Sequence, residues 1–257
     1  MSKHKTILKL SGNSLSYPNV DFASANIDPK QVKHYALNIH EVFKRGINPF
    51  TIIGGSNIAN GEELYKRGFV TDKRVGDLHG MEGTHENVQA VYEALRELDV
   101  PVICLSATGR NDEVFVPYTY GKILELSEKN ELICLIAGGT GFPGLTTDSA
   151  AALYAKAVGV QTIIKSTEAG CVYSHDPRDT TIETPPTVYP VITYRQVVLD
   201  NLKIMDLAAV AYCEQNDIDI QITRGEDPDT IEKIVIYGEN PNGSLITNDV
   251  KKLKLSR

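Results

Sequence analysis

Two lysines stand where lysines are costly. Lys9 lies in the apolar run TILKL, and Lys165 closes the run QTIIK. A buried ammonium is disfavoured unless an anion requires it, although either side chain could also snorkel out to water. Each of three glycine-rich turns follows an apolar run: Lys9-Leu10-Ser11-Gly12, Gly54-Gly55-Ser56-Asn57, and Gly138-Gly139-Thr140-Gly141-Phe142-Pro143-Gly144. Glycine amides, free of Cβ crowding, can wrap phosphate oxygens. Thr146-Thr147-Asp148 then opens a helical pattern, so Asp148 is either a plain helix cap or a carboxylate that orders the lysines. Fixed cations, glycine loops and one carboxylate suit phosphoryl transfer, in which positive charge must face the bridging and transferring oxygens.

The elements that must position these groups alternate in type. Residues 6–10, 50–53, 101–105, 132–136 and 161–165 are apolar almost throughout, as strands buried on both faces require. Between them, residues 29–45, 57–67, 80–98, 119–129 and 146–158 carry helical patterns. Residues 174–190, rich in Asp, Thr and Pro, read as an irregular excursion. A helix over 201–216 and strands over 218–222 and 233–237 complete the chain. The rhythm predicts an α/β fold, a three-layer sandwich around a mostly parallel central sheet. One domain over residues 1–257 is expected, with an N-terminal lobe to about residue 160 and a C-terminal lobe beyond it. Open sheets of this kind bind ligands at the carboxyl ends of their strands, where all three turns converge.

Composition narrows the function. The chain has 257 residues, 42% hydrophobic and 23% charged, with net charge −7. That balance argues against a nucleic-acid partner. The one basic run, Lys251, Lys252, Lys254 and Arg257, reads as a solvated tail. Cys104, Cys134, Cys171 and Cys213 form no CxxC, and the first two sit in apolar runs as buried thiols. The start, MSKHKTILKL, lacks the apolar core of a signal peptide, and no stretch approaches a membrane span, so a cytoplasmic setting without a membrane partner is expected.

One motif points elsewhere. Gly139-x-Gly141-x-x-Gly144, with Glu168 further on, matches the dinucleotide fingerprint and raises an NAD-dependent oxidoreductase as a remote alternative. Pro143 stiffens that turn, and Asp148 puts a carboxylate where the helix dipole would favour the cofactor's own charge. No Gly-Lys-Ser/Thr follows any of the turns, so a Walker P-loop is absent.

Longer stretches carry a resemblance. KLSGNSL at residues 9–15 is similar to KLSGEAL, IIGGSNI at 52–58 to VIGGGNI, and VGDLHGM at 75–81 to VGDxMGM. AGGTGFPGLTTDSA at 137–150 resembles GAGTGNPFFTTDTA, and Lys165-Ser-Thr167 with VYSHDP at 172–177 resembles KATKVDGVYxxDP. LKIMDLA at 202–208 and Gly243-Ser-Leu-Ile match ELKVMDxTA and GTLI. In order along nearly the whole chain, these motifs resemble the bacterial-type uridylate (UMP) kinases of the amino-acid-kinase fold. The resemblance implies transfer from ATP, with Mg2+ carried by the nucleotide and no dedicated protein ligands for the metal. It implies that Lys9, Lys165, Asp148 and Asp206 form or support the catalytic centre. Lys9, Ser11, Gly12 and Ser56 would hold ATP phosphates, with Thr167, Tyr173 and Asp176 about the adenosine. Gly55, Asn60, Asp77, Thr140, Gly141, Thr146 and Thr147 would face the acceptor nucleotide. Self-association into a homohexamer is implied as well.

The departures cluster on the acceptor side. Asn60 stands where the family's GGGNxxRG has its arginine, Phe142, Gly144 and Leu145 alter the acceptor loop, Ser56 replaces a glycine, and Gly170-Cys171 replaces Asp-Gly. Losing an Arg–phosphate fork removes roughly 1.5–3 kcal/mol, which Arg67, Lys73 or Arg74 could restore from nearby. Three readings follow: a UMP kinase with a relocated phosphate contact, a kinase of the same fold for another small acceptor, or a non-catalytic nucleotide-binding or storage protein.

Overall fold

The structure is a computed structural model that describes residues 4–17, 26–129, 131–177, 179, 181–224 and 227–249; the basic tail lies outside them. In chain order the elements begin with β1 (His4–Leu10), α1 (Pro29–Lys44), β2 (Ile47–Ile53), α2 (Gly61–Lys66) and α3 (Lys73–Arg96). There follow β3 (Val102–Ser106), β4 (Phe115–Pro117), α4 (Tyr120–Lys129), β5 (Ile133–Ala137), α5 (Thr147–Val158) and β6 (Thr162–Ser166). Then come β7 (Val172–Tyr173), β8 (Val188–Tyr189), β9 (Val191–Ile192), α6 (Tyr194–Leu199), α7 (Leu207–Gln215), β10 (Asp219–Thr223), α8 (Pro228–Glu232) and β11 (Ser244–Ile246).

Nine strands form one sheet in the order β4-β3-β5-β2-β1-β6-β10-β11-β9, and only the β10–β11 pairing is antiparallel. Strand pleating divides its side chains between two faces, which carry three apolar clusters. Phe50, Ile52, Cys134 and Ile136 pack with α4, α5 and α7 on one face. Ile53, Ile133, Leu135 and Ala137 pack with α1 and α3 on the other. The expected three-layer α/β sandwich is therefore present. Helix α1 shows the local logic: Asp28 caps it through the Lys30 amide, Pro29 fills the first turn, and Val32, Tyr35, Ala36, Ile39 and Val42 bury one stripe.

The chain crosses the sheet once. Strands β2 to β5 all lie on one side of β1, and β6, β9, β10 and β11 lie on the other. Helix α5 makes the passage from β5 to β6.

Four sequence expectations need correction. Helix α3 begins at Lys73, not residue 80, because Asp72 caps it through the Arg74 amide. Its early glycines obscured that start; Gly76 is accommodated by direct packing against Gly61 of α2. Helix α2 is shorter than expected, and residues 57–60 form the turn before it. The helix expected over 201–216 is confined to α7, since Asn201 adopts a left-handed backbone (φ 50°) and Asp206 caps a fresh start. Residues Lys233–Tyr237, expected as a strand, form a wide helical turn continuing α8. Asp227 and Pro228 nucleate that helix, and the three-residue spacing of buried Ile231 and Ile234 prevails over β-branched propensity. The sheet position goes instead to β11. The 174–190 excursion is closed by the β7–β8 pairing at its base.

Candidate active site

The two lysines meet at the centre of the sheet. Lys9 on β1 and Lys165 on β6 are register partners on adjacent parallel strands, with 8% and 7% of their surface exposed. Asp148, 8% exposed in the first turn of α5, reaches both. Its Oδ2 accepts from Lys165 Nζ at 2.6 Å, and its Oδ1 lies 3.1 Å from Lys9 Nζ, close enough to pair but out of line for a hydrogen bond. Lys165 also donates to the Ile204 carbonyl. Burial would raise the Asp148 carboxyl, but the charges of Lys165 and Lys9 outweigh it and hold the group ionised, at about 2. Burial pulls Lys165 down to about 8, opposed by Asp148 and assisted by Lys9. Within the cluster two ammonium groups face one carboxylate, with the charge of Asp206 acting on Lys165 from beyond it, an arrangement that suits an incoming polyanion.

The glycine turns surround this centre, as the sequence predicts. Ser11 and Gly12 follow β1, and Gly12 crosses the second turn so closely that a Cβ would fall 2.5 Å from Asn57 Oδ1 and 2.7 Å from the Gly54 carbonyl. Ser56 donates to Asn13 Oδ1 at 3.1 Å, linking the first two turns. Gly55 is wedged against the backbone of Gly80 and Gly83. In the third turn Gly141 holds φ 78° against the Ala107 carbonyl, a placement closed to residues with a Cβ. Thr140 Oγ1 accepts from the Phe142 amide at 3.2 Å, leaving the Phe142 ring 70% exposed. Thr147 begins α5 between the second and third turns.

Asp206 braces the start of α5. Its carboxylate accepts from Thr146 Oγ1 and, at 2.9 Å, from Ser149 Oγ, while capping α7 through the Ala209 amide at 2.7 Å. Thr146 in turn accepts from the Asp148 amide at 3.0 Å. Asp148 is thus no simple cap: Thr146 caps α5 and Asp148 is committed to the lysines.

On the other side, a cavity of about 580 Å³ opens at the carboxyl ends of β6 and β10, lined by His34, Gly170, Tyr173, Thr223, Arg224 and Asp227 among others. Thr167 shapes its approach, taking the Gly170 amide at 3.0 Å and donating its own amide to the Thr223 carbonyl. Tyr173 lines the cavity, whereas Asp176 is exposed and is not among the lining residues.

The remaining acceptor-side residues serve structure more than the sequence suggests. Asn60 caps α2, accepting from the Glu63 amide at 3.2 Å. Asp77, on α3, accepts from the Gly144 amide at 2.8 Å and so ties down the third turn. Arg67 pairs with Glu63 at 2.6 Å and Arg74 with Asp72 at 2.5 Å, both at the surface. Such exposed pairs hold their partners weakly. Glu62 of α2 is held low first by Lys66, with smaller contributions from Lys73 and Lys203, so both of those cations stand near this helix.

Sequence reasoning missed the polar face of α3. Asn87 donates to the Gly54 carbonyl at 2.6 Å and to Asn57 Oδ1 at 2.6 Å, and Thr84 Oγ1 accepts from the Gly138 amide at 2.6 Å. Thr84, His85 and Asn87 are all buried inside a helix with an otherwise apolar stripe, and that was the available signal. The dinucleotide alternative fails on the same geometry. The amides of Gly138, Gly141, Phe142 and Gly144 already donate within the protein, to Thr84, Gly138, Thr140 and Asp77.

Comparison with known proteins shows the family and the fold. Residues 4–224 match the model of the amino acid kinase family. A uridylate kinase of Xanthomonas euvesicatoria pv. vesicatoria is 34% identical over 239 residues, covering 93% of this chain and 95% of that protein. One from Bacteroides thetaiotaomicron is 34% identical over 251 residues, covering 96% and 100%. The crystal structure of UMP kinase from Ureaplasma parvum superposes with a TM-score of 0.81 at 28% identity, covering 96% of this chain and all of that one. The chain belongs to the amino acid kinase family, on its uridylate kinase branch.

Proposed function

We propose that the protein transfers the γ-phosphoryl group of ATP to UMP, releasing ADP and UDP. The buried Lys9–Asp148–Lys165 cluster carries this reading, because it places surplus positive charge where three glycine turns meet. Lys9, Ser11, Gly12 and Ser56 face the donor phosphates, with Thr167 and Tyr173 toward the adenosine; Asp176, exposed and off the cavity wall, is assigned there by motif position alone. Lys165 meets the transferring group. Gly55, Asn60, Asp77, Thr140, Gly141, Thr146 and Thr147 border the acceptor, and Asp206 supports the centre through Thr146 and Ser149. An acceptor phosphate oxygen attacks the γ-phosphorus in line as the bond to the β-bridging oxygen breaks, and the lysines neutralise the charge gathering on the oxygens. Among the described residues no cluster of three His, Cys, Asp or Glu could hold a metal ion, and both Asp148 oxygens face ammonium groups. Mg2+ belongs to this reading as an ion bound to the ATP phosphates, where it would shield their charge.

In this reading the strands before α5 form an acceptor lobe to about residue 160, and those after it an ATP lobe. A cytosolic setting in pyrimidine nucleotide synthesis and assembly as a homohexamer belong to the same proposal. Among the described residues no helix is long and apolar enough to cross a membrane. One observation favours a second reading, a different small acceptor: Asn60 is occupied as a helix cap and supplies no cation.

The test is ADP release from Mg-ATP with a panel of nucleoside monophosphates and other small acceptors. Turnover with UMP is expected. Turnover with another acceptor alone selects the second reading, and nucleotide binding without turnover on any acceptor leaves a storage role.

A further inference from the structure

His85 is a buried titratable group that the proposed reaction does not use. It lies on α3 with none of its surface exposed, and its ring meets Phe115 edge-on at 4.9 Å between centroids. Nδ1 is 3.1 Å from the Met81 carbonyl, which can only accept, so the proton sits on Nδ1. Nε2 is then an acceptor, 2.9 Å from Ser106 Oγ. Ser106 gives its proton to His85 and accepts the Arg110 amide at 3.0 Å, with Thr108 Oγ1 3.1 Å away. This directed chain fixes the turn that follows β3. That turn is the surface on which the third glycine turn rests, with Gly141 against Ala107 and Gly138 against Thr108. One residue earlier on the same helix, Thr84 holds the Gly138 amide.

We infer that His85 is a positioning residue for the acceptor loop: the neutral ring, through Ser106, sets the turn at 106–110 that carries Gly138–Gly144. The groups facing it agree with a neutral ring. Burial lowers its proton affinity and outweighs Glu82, whose carboxylate lies 3.7 Å from Nδ1 but extends to solvent. Farther off, Arg110 lowers it further and Asp112 opposes, while these two pair with each other at 2.6 Å. Nothing in the Lys9–Asp148–Lys165 cluster touches this chain, so donor binding should not depend on it.

The experiment compares wild type with His85→Leu, Ser106→Ala, the double variant and His85→Gln. In hydrogen exchange on the free proteins, the segments 106–110 and 138–144 should exchange faster by roughly tenfold or more in both single variants, while β6 and β10 are unchanged. In kinetics, KM for UMP should rise about tenfold with KM for ATP within roughly twofold, and the double variant should be no worse than the poorer single one. His85→Gln, which keeps a donor and an acceptor at this depth, should recover most of the loss. The kinetic arm rests on the acceptor reading above, and the exchange arm does not. If wild type fails to use UMP, that reading falls and exchange alone decides this one. Unchanged exchange in the two segments, equal rises in both KM values, or additive losses in the double variant would overturn the inference.

Discussion

Lys9 and Lys165 face each other across adjacent parallel strands, with the carboxylate of Asp148 reaching both. Two buried ammonium groups so placed repel one another, and Asp148 is the carboxylate that touches both, with Asp206 adding its charge to Lys165 from further out. Removing one partner from a buried ion cluster costs roughly 3–5 kcal/mol. Asp148→Asn should therefore lower the melting temperature sharply, and Mg-ATP should restore more stability to the variant than to wild type by replacing the missing anion. Turnover should fall about a hundredfold or more, while ATP binding is kept or strengthened. Near-normal turnover in Asp148→Asn would remove Asp148 from the centre.

The depressed Lys165 separates activity from stability at alkaline pH. Its folded value, about 8, lies below its ordinary 10.5, so between these values the unfolded chain binds more protons and this group's contribution to stability rises with pH. Activity should move the other way: kcat/KM for ATP should fall as pH passes 8, because the uncharged amine no longer meets phosphate. Bound ATP raises the proton affinity of Lys165, shifting the limb in kcat upward. Paired pH–rate and pH–melting profiles test this, and Lys165→Arg should abolish the limb at whatever activity remains. A melting curve that collapses together with activity above pH 8 would contradict the assignment.

Asn60→Arg sets a lost helix cap against a gained cation. Loss of the cap on α2 should cost roughly 0.5–2 kcal/mol. A guanidinium on the acceptor phosphate should be worth roughly 1.5–3 kcal/mol. The variant should melt earlier yet show a KM for UMP lower by about tenfold or more, with KM for ATP unchanged. If KM for UMP does not fall, another cation already serves, and Lys73→Ala and Lys203→Ala are the next variants to measure.

Mg-ATP should raise the melting temperature and NAD or NADP should not. At a hundredfold excess over Kd, a ligand contributes about 2.7 kcal/mol. A saturable shift with NAD and none with Mg-ATP would revive the glycine fingerprint of 139–144 against the geometry that engages its Gly141, Phe142 and Gly144 amides.

The sheet was legible because its central strands are apolar on both sides, a pattern that needs no knowledge of their partners. Lys9 and Lys165 were legible for the opposite reason, as charges placed where charge is costly, whereas Asp148 at a helix start read equally as a plain cap until the structure set it against both lysines. The strand expected at Lys233–Tyr237 went wrong because a short β-branched run does not reveal whether it buries alternate residues or every third one. His85, Thr84 and Asn87 escaped notice because each partner is remote in sequence: Ser106, Gly138 and Gly54 become neighbours only when α3 lies across the strand ends. Asn60 and Asp77 illustrate the remaining gap. Motif position put them beside the acceptor, while their hydrogen bonds to the Glu63 and Gly144 amides depend on where α2 and α3 begin.

The single crossing at α5 bears on how the chain is made. Everything through β5 belongs to one side of β1, so when that half has left the ribosome β1 is still an open sheet edge awaiting β6. An apolar edge of that kind invites pairing with other nascent chains, and lysines on an edge strand are a recognised deterrent. Lys5 and Lys9 both lie on β1. That edge therefore carries two charges of the deterrent kind until β6 pairs with it and brings Lys165 into register with Lys9.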